Sequence, residues 1–390
     1  MEAGFALGQE PSHPCALAVL GSRIGDALFS LAALAALKEC RPRGGVVLLC
    51  PASLADLGRC ALGPDAVWAR PKGRLVPPLS WVRRARRNRF REALVFSPSR
   101  RAVLLGAASG ARVRVGFASG HFPWLLTHRI AVPTVFSPQI ALNIVRTVEP
   151  GAQPRTYQGL IRLSEEQRAT GRRLLQQAGM DAAAPYVVVA PGCNGPRDPK
   201  LWPPERFAAV AAALAQVGWQ IVVVGTSREA LMGAQIRCAA KRAVDLAGRT
   251  DPVQLAAILE GAELLIGNDS GPAHLAAALG RRTVTVTGPT NPAETGPQGA
   301  GHVCICGDAD CAPCYDRPTC TDRHCLLTIE LDVVVRAALD ALRVQRTSVQ
   351  RRQAPQPAAR APARHSQTRV APSLAENDNG SRHQHAPQPS

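Results

Sequence analysis

The sequence predicts an α/β protein: two consecutive Rossmann-like, doubly wound domains facing a central cleft, followed by a disordered tail. Three observations predict it. Short apolar runs alternate with helix-like segments along most of the chain, the pattern of a parallel sheet covered by helices on both faces. The alternation runs twice, broken between about 148 and 163 by Pro150, Gly151, Pro154 and Gly159. Beyond residue 346 apolar residues become scarce, and Pro, Gln, Ala and Arg take over. These changes set an N-terminal domain at 14–155, a second domain at 164–345 and a disordered basic tail at 346–390.

A chain of 390 residues can bury two sizeable cores. Aromatics make up only 4% of it, so those cores rest on Ala, Leu and Val. The formal net charge of +17 favours an anionic partner: a lipid surface, a phosphorylated glycan or nucleic acid. The tail contributes +5 of that charge, seven Arg against Glu376 and Asp378. Lys38, Lys72, Lys200 and Lys241 are the only lysines beside a large excess of Arg. No stretch reaches the roughly 18–20 apolar residues that a membrane-spanning helix needs. The first fourteen residues lack a basic start and apolar core, so no signal peptide is expected. The expected location is the cytoplasm.

The first half opens with a strand at Cys15–Gly21. A turn, Ser22-Arg23-Ile24-Gly25-Asp26, leads into a helix at Ala27–Lys38 and a strand at Val46–Cys50. Gly21 and Gly25 are assigned to tight turning of the backbone. Asp26 lies at the carboxyl edge of the first strand, where open α/β sheets place their ligand crevice. Trp81–Arg91 carries six Arg among Trp81, Val82, Ala85 and Phe90. As a helix it would suit an anionic bilayer surface, and a plain solvated face explains the same residues. No nucleic-acid-binding signature accompanies it, so no specific nucleic acid is expected. Ala93–Phe96 reads as strand, Ser99–Ser109 as helix and Val113–Gly116 as strand. Residues 117–138, with His121, Phe122, Trp124 and His128, read as irregular loops offering acceptor contacts.

The second half starts with capping-box spacing at Ser164 and Gln167, opening a helix that ends near Gly179. Strands follow at Tyr186–Ala190, Gln220–Val224, Val244–Leu246, Glu263–Ile266 and Thr283–Val286. Helices fall near Glu205–Val217 and Arg228–Ala240, from Pro252, and at Ala273–Leu279, and Asp332–Arg343 forms the last. The stretch Gly267–Gly288, GNDSGPAHLAAALGRRTVTVTG, reads strand, turn, helix, strand. Pro272 suits a first helical position. Ser270 and Gly271 sit at the helix start, where unpaired N–H groups and the helix dipole favour phosphate. An ordinary turn with a capping Ser fits the same residues. Lys200, in Pro191–Phe207, is a compact cation able to approach a diphosphate closely. Glu229 follows another strand end and suits a ribose, or simply a first-turn acid.

Taken together, GSRIGDALFSLAALAALK, PGCNGPRDPKLWPPERFAAVAAALAQVGWQIVVVGTSRE, DLAGRTDPVQLAAILEGAELLIGNDSGPAHLAAALGRRTVTVTGPTNP and CAPCYDRPTCTDRHC resemble glycosyltransferase family 9, typified by the ADP-heptose:lipopolysaccharide heptosyltransferases. The resemblance spans roughly 14–330. It implies a GT-B fold and inverting transfer of heptose from ADP-heptose to a lipopolysaccharide core or related lipid-linked anionic glycan. It implies Asp26 as the catalytic base and Lys200 as the cation on the leaving diphosphate. Ser270 and Gly271 would hold phosphate, and His274, one turn further on, would lie close enough to reach the donor's phosphate or sugar. Asp269 would avoid the diphosphate and meet sugar hydroxyls or Lys200. Glu229 and Thr250 fall where the family contacts the nucleoside. The chain departs from the family at Gly195-Pro196 and in its long basic tail. The alternative function is a non-catalytic nucleotide-sugar or nucleic-acid binder of the same fold. A nucleotide-sugar epimerase would need acid/base pairs that the sequence does not offer.

No cofactor is expected for catalysis. Asp308-Ala309-Asp310 has the spacing of a metal-binding pair but lies in a cysteine-rich loop. Six of the twelve cysteines crowd into Cys304–Cys325. Cys311, Cys314, Cys320 and Cys325 have the composition of a structural zinc site, in a compartment where disulfides are disfavoured.

Overall fold

The apolar runs pair into two six-stranded sheets in the computed structural model, which describes residues 14–71, 75–131, 135–181, 183–193, 198–315, 320 and 322–353. The first half contains β1 (Pro14–Val19), α1 (Ile24–Cys40), β2 (Gly45–Cys50), α2 (Ala52–Arg59), β3 (Ala66–Ala69), α3 (Leu79–Arg87), β4 (Glu92–Val95), α4 (Arg100–Ala108), β5 (Val113–Phe117), β6 (His128–Ile130) and α5 (Pro138–Arg146). The second contains α6 (Glu165–Gln177), β7 (Tyr186–Ala190), α7 (Pro204–Gln216), β8 (Gln220–Val223), α8 (Ala230–Ala239), β9 (Val244–Asp245), α9 (Pro252–Gly261), β10 (Leu264–Asn268), α10 (Gly271–Ala278), β11 (Arg282–Thr287), α11 (Pro292–Thr295), β12 (His302–Cys306), α12 (His324–Leu327) and α13 (Leu331–Gln353).

All ladder pairings in both sheets are parallel. The strand orders are β3-β2-β1-β4-β5-β6 and β12-β11-β10-β7-β8-β9. Strands covered on both faces carry apolar residues without alternation, which is why GVVLLC and YVVVA are buried at every position. Each order reverses once, between β1 and β4 and between β7 and β10. Connections leave such a point in opposite directions and open a crevice at the carboxyl ends of the strands. The turn before α1 and the turn before α10 each lie at one of these points.

Helix α1 has almost no polar face: every residue from Ala27 to Leu37 is buried. A helix apolar all round must be covered all round. Its cover includes α5 and, from the other half, α10, and residues of its own sheet share its apolar cluster. Residues of α1, α9 and α10 belong to one apolar cluster continuous across both halves. Alanine dominates this seam, so the helices approach closely, and few aromatics are needed.

The Pro- and Gly-rich connection is stitched down rather than loose. The N–H of Leu62 donates to the carbonyl of Leu160 at 2.7 Å, and the N–H of Arg162 to that of Cys60 at 2.8 Å. Gly159 donates to the carbonyl of Ala278 at the end of α10, at 2.7 Å. Tyr157 is 0% exposed.

The capping box at Ser164 forms as expected, with Gln167 N–H donating to Ser164 Oγ at 3.2 Å and Gln167 Oε1 accepting from Ser164 N–H at 2.8 Å. Three expectations change. Residues 117–138 are not wholly irregular: His128–Ile130 forms the edge strand β6 beside β5. Its exposed residues hide it from a search for apolar runs. A second edge strand, β12, lies inside the cysteine-rich run. Helix α13 continues to Gln353, past the expected end at Arg343 and into the stretch assigned to the tail. The leader, Gly195-Pro196 and residues 354–390 of the tail lie outside the described residues. Among the described residues no helix is long and apolar enough to cross a membrane.

Candidate active site

The first turns of α1 and α10 meet across the seam. A Cβ on Gly25 would stand 2.9 Å from His274 Cδ2, and one on Gly271 would stand 3.3 Å from Ile24 Cβ. This corrects the reason given for Gly25. It lies within α1 and not in a turn, and its missing side chain is the space that His274 fills. Gly25→Ala is therefore expected to cost about 1–3 kcal/mol of stability, the usual range for overpacking. Chemical denaturation measures it directly.

Asp26 follows in the same turn, as an acid near a helix N-terminus where the dipole favours it. A Cβ on Gly21 would stand 3.9 Å from Asp26 Oδ2 and 3.9 Å from Ser97 Cβ, which places the carboxyl near the carboxyl ends of β1 and β4. Burial pushes its pKa above the ordinary 3.8, and Arg23, His274 and Lys200 oppose that rise. Two of those three belong to the second half, so one site contains residues from both sheets.

On the β7/β10 side, Asn268 organises the backbone. It is fully buried at the end of β10. Its Nδ2 donates to the carbonyl of Pro191 at 2.7 Å, and its Oδ1 accepts from Trp202 N–H at 2.9 Å. These bonds clamp the loop after β7 onto β10. Lys200 is carried on that loop, with its N–H donating to Asp198 Oδ1 at 2.8 Å and its Nζ 3.4 Å from Asp269 Oδ2. Thr290 donates its hydroxyl to the same Asp269 oxygen at 2.8 Å.

Asp269 is 4% exposed. Burial opposes its ionisation, yet His274, Lys200 and Thr290 outweigh burial and hold the carboxyl far below an ordinary aspartate. Of the two roles expected for Asp269, contact with Lys200 is the one formed here.

His274 is 6% exposed and turned into the protein. Its Nδ1 lies 2.9 Å from the Tyr157 hydroxyl and its Nε2 lies 3.4 Å from Asp269 Oδ1. The ring of Phe29, from α1, meets it edge-on at 5.3 Å between centroids. Both ring nitrogens thus face protein groups, and not a position open to phosphate or sugar.

Ser270 occupies the N-cap position of α10 but makes no capping bond. Its hydroxyl is buried and has no hydrogen-bond partner among the described residues. The plain capping reading of this turn therefore fails, and an orphaned polar group at a helix start is what an anion site requires. Gly271 is the first helical residue and Pro272 the second, so the Ser270 and Gly271 N–H groups are those without an intrahelical acceptor.

Glu229 and Thr250 lie after β8 and β9, at the same edge of the sheet. Glu229 is buried, and its Oε2 accepts from Thr226 N–H at 2.6 Å and Thr226 Oγ1 at 2.7 Å. It caps a turn and also packs on Gly192, where a Cβ would stand 2.3 Å from its Cγ. Thr250 is partly exposed, between Gly248 and the α9 cap Asp251.

The cysteine cluster divides. Cys304 and Cys306 lie on β12. Cys325, on α12, is buried and has the thiols of Cys314, Cys311 and Cys320 within electrostatic reach. Among the described residues no three His, Cys, Asp or Glu side chains are placed to hold one metal ion, so the four cysteines do not come together here as the zinc site that their composition allowed. Residues 316–319 and 321 of this run lie outside the described residues.

Tyr157, Asn268, Thr290 and Phe29 were not anticipated as site residues. Asn268 carried a signal: an amide ending an apolar strand must find partners when buried. Tyr157 lies 117 residues from His274, and no local pattern links them.

The sequence profile of glycosyltransferase family 9 (heptosyltransferase) matches residues 79–324. Lipopolysaccharide heptosyltransferase 1 of Pseudomonas aeruginosa is 33% identical over 147 residues, 37% of this chain and 40% of that protein. Lipopolysaccharide heptosyltransferase 2 of Escherichia coli K12 is 28% identical over 228 residues, 54% of this chain and 64% of that protein. The chain thus matches less than two thirds of the length of either relative. The structure of E. coli ADP-heptose LPS heptosyltransferase II superposes with a TM-score of 0.70 at 20% identity, covering 85% of this chain and 99% of that one. That of E. coli heptosyltransferase WaaC with ADP gives 0.58 at 19% identity, covering 84% and 99%. These likenesses establish the GT-B fold expected from the sequence.

Proposed function

The chain belongs to glycosyltransferase family 9 (heptosyltransferase), and from that premise we propose that it transfers heptose from ADP-heptose, with inversion, to a lipopolysaccharide core or related lipid-linked anionic glycan. The observation that carries the reading is the meeting of the two helix starts: His274 packs on Gly25, next to Asp26, and approaches Asp269, which in turn meets Lys200. A two-substrate transfer needs a base on one side of a cleft and charge stabilisation on the other.

In this reading Asp26 accepts the proton of an acceptor hydroxyl as that oxygen bonds to the anomeric carbon. The bond from the anomeric carbon to the diphosphate oxygen breaks in the same displacement, and ADP leaves. Negative charge growing on the diphosphate meets Lys200, the Ser270 and Gly271 N–H groups and the Ser270 hydroxyl. The reading assigns that charge to protein groups and gives no step to a metal. Glu229 and Thr250 border the nucleoside.

Attachment to the cytoplasmic face of the inner membrane fits the exposed Leu75, Val76 and Leu79 at the start of α3. Arg83, Arg84 and Arg87 line an open groove of about 450 Å³ along the same helix. Apolar side chains beside guanidinium groups suit an anionic bilayer surface.

The test is thermal stabilisation of the purified protein by ADP-, GDP- and UDP-sugars. Selective binding of an ADP-sugar at about 100 times its Kd adds roughly 2.7 kcal/mol and raises Tm. Stabilisation by UDP- or GDP-sugars alone overturns the donor, and none from any of them overturns the reading.

A further inference from the structure

Tyr157 takes no part in the chemistry above, yet it is fully buried in the active-site seam with a polar group to satisfy. Its hydroxyl accepts from the N–H of Gln298 at 2.9 Å and lies 2.9 Å from His274 Nδ1. Burial pushes the phenol well above its ordinary pKa, the Gln298 N–H opposes that rise and the Asp269 carboxylate adds to it, so the hydroxyl keeps its proton. That proton has one acceptor within reach among the described residues, His274 Nδ1.

The other side of the imidazole imposes the same arrangement. An ionised Asp269 can only accept, and its Oδ1 has no hydrogen-bond partner among the described residues apart from the 3.4 Å approach of His274 Nε2. A proton on Nε2 faces this oxygen, and Nδ1 is then left bare to accept from Tyr157. Two independent hydrogen-bond requirements thus select one tautomer of His274.

We propose that Tyr157 is a positioning residue for sugar transfer: it locks His274 as the Nε2–H tautomer, which holds the Asp269 carboxylate in the orientation that orders Lys200. The series runs from the interdomain connection through α10 to the loop after β7: Tyr157, His274, Asp269, Lys200. It rests on the role given above to Lys200. His274 also packs on Gly25, next to Asp26, so the same ring touches both sides of the cleft. Tyr157 touches neither substrate in this reading. Its effect passes through His274 alone.

Three measurements on the full chain test it. In protein labelled with ¹⁵N-histidine, the His274 ring, assigned with His274→Gln, should show a protonated Nε2 and an unprotonated Nδ1. This needs no change at Tyr157 and no donor, so it stands apart from the proposed reaction. An Nδ1–H tautomer in the unaltered protein overturns the proposal. Tyr157→Phe keeps the ring and removes the hydroxyl, and it should shift His274 towards a tautomer mixture. With ADP-heptose it should lower kcat about tenfold and leave the donor KM within twofold. In a His274→Gln background the same change should have no further effect, since the residue it acts through is gone. Equal losses with and without His274, or a rise in KM with kcat unchanged, overturn the proposal. If no sugar is transferred at all but the tautomer is as described, the failure lies with the proposed reaction and not with the lock.

Discussion

Asp26→Asn should lower kcat for sugar transfer by about 10²–10⁴-fold, the range that a positioned general base supplies. Binding of ADP should change little, because the residues proposed to hold the diphosphate lie in the other half. The amide fits the same space and cannot take a proton. The same variant should be more stable than the unaltered protein at neutral pH. Burial raises the Asp26 pKa above 3.8, so the fold favours its protonated form. The sign follows: the contribution of a protonated Asp26 to stability is fully present below the unfolded pKa. It is lost as pH rises through the folded one, where a buried charge must form. Asn carries no such charge. Activity falling while Tm rises is a pairing that simple damage to the fold does not produce. The pH profile gives a further check, because the acid limb of kcat/KM should lie above the range of an ordinary aspartate. A variant with unchanged kcat removes Asp26 from the role of base.

The sheets were legible because parallel strands covered on both faces must be apolar throughout. GVVLLC, YVVVA and LLIGN announce themselves, and the Pro- and Gly-rich break marks where one sheet ends. Edge strands are half exposed, so HRI in β6 and HVCIC in β12 lack that signature. At the candidate site, Asp26 and Ser270 were readable because each closely follows an apolar run, and Lys200 because it is one of only four lysines. Their partners were not. His274 was read as facing the donor because it lies one turn into α10. Its actual direction is fixed by Gly25, Phe29 and Tyr157, all distant in sequence. Gly25 shows the same limit from the other side. A glycine after a strand suggests a turn, and only the packed structure shows that its missing side chain makes room for a ring from the other half.

Lys200→Met should reduce kcat/KM by about 10²–10³-fold, comparable to deleting one preorganised donor of an anion site. Methionine keeps the length of the stem and removes the charge. If the ammonium acts mainly on the departing diphosphate, the loss appears in kcat. A rise in KM with kcat unchanged would mean that it binds the ground state equally well. The change has a cost in the fold as well. Asp269 is held below its ordinary pKa by His274, Lys200 and Thr290 against the opposing effect of burial. Such a group contributes stability above its unfolded pKa, and that contribution is lost as pH falls through the folded one. Without Lys200 the depression shrinks. The variant should therefore lose stability at neutral pH, and the difference should narrow on acidification. Lys200→Arg should recover only part of the activity. A planar guanidinium places its charge differently from a compact ammonium, and the 3.4 Å approach to Asp269 suits the latter. The chain supplies its own comparison, because it uses Arg almost everywhere that a positive charge is needed, and lysine at only four positions. Full activity in Lys200→Arg would mean that charge alone is required there, and geometry is not.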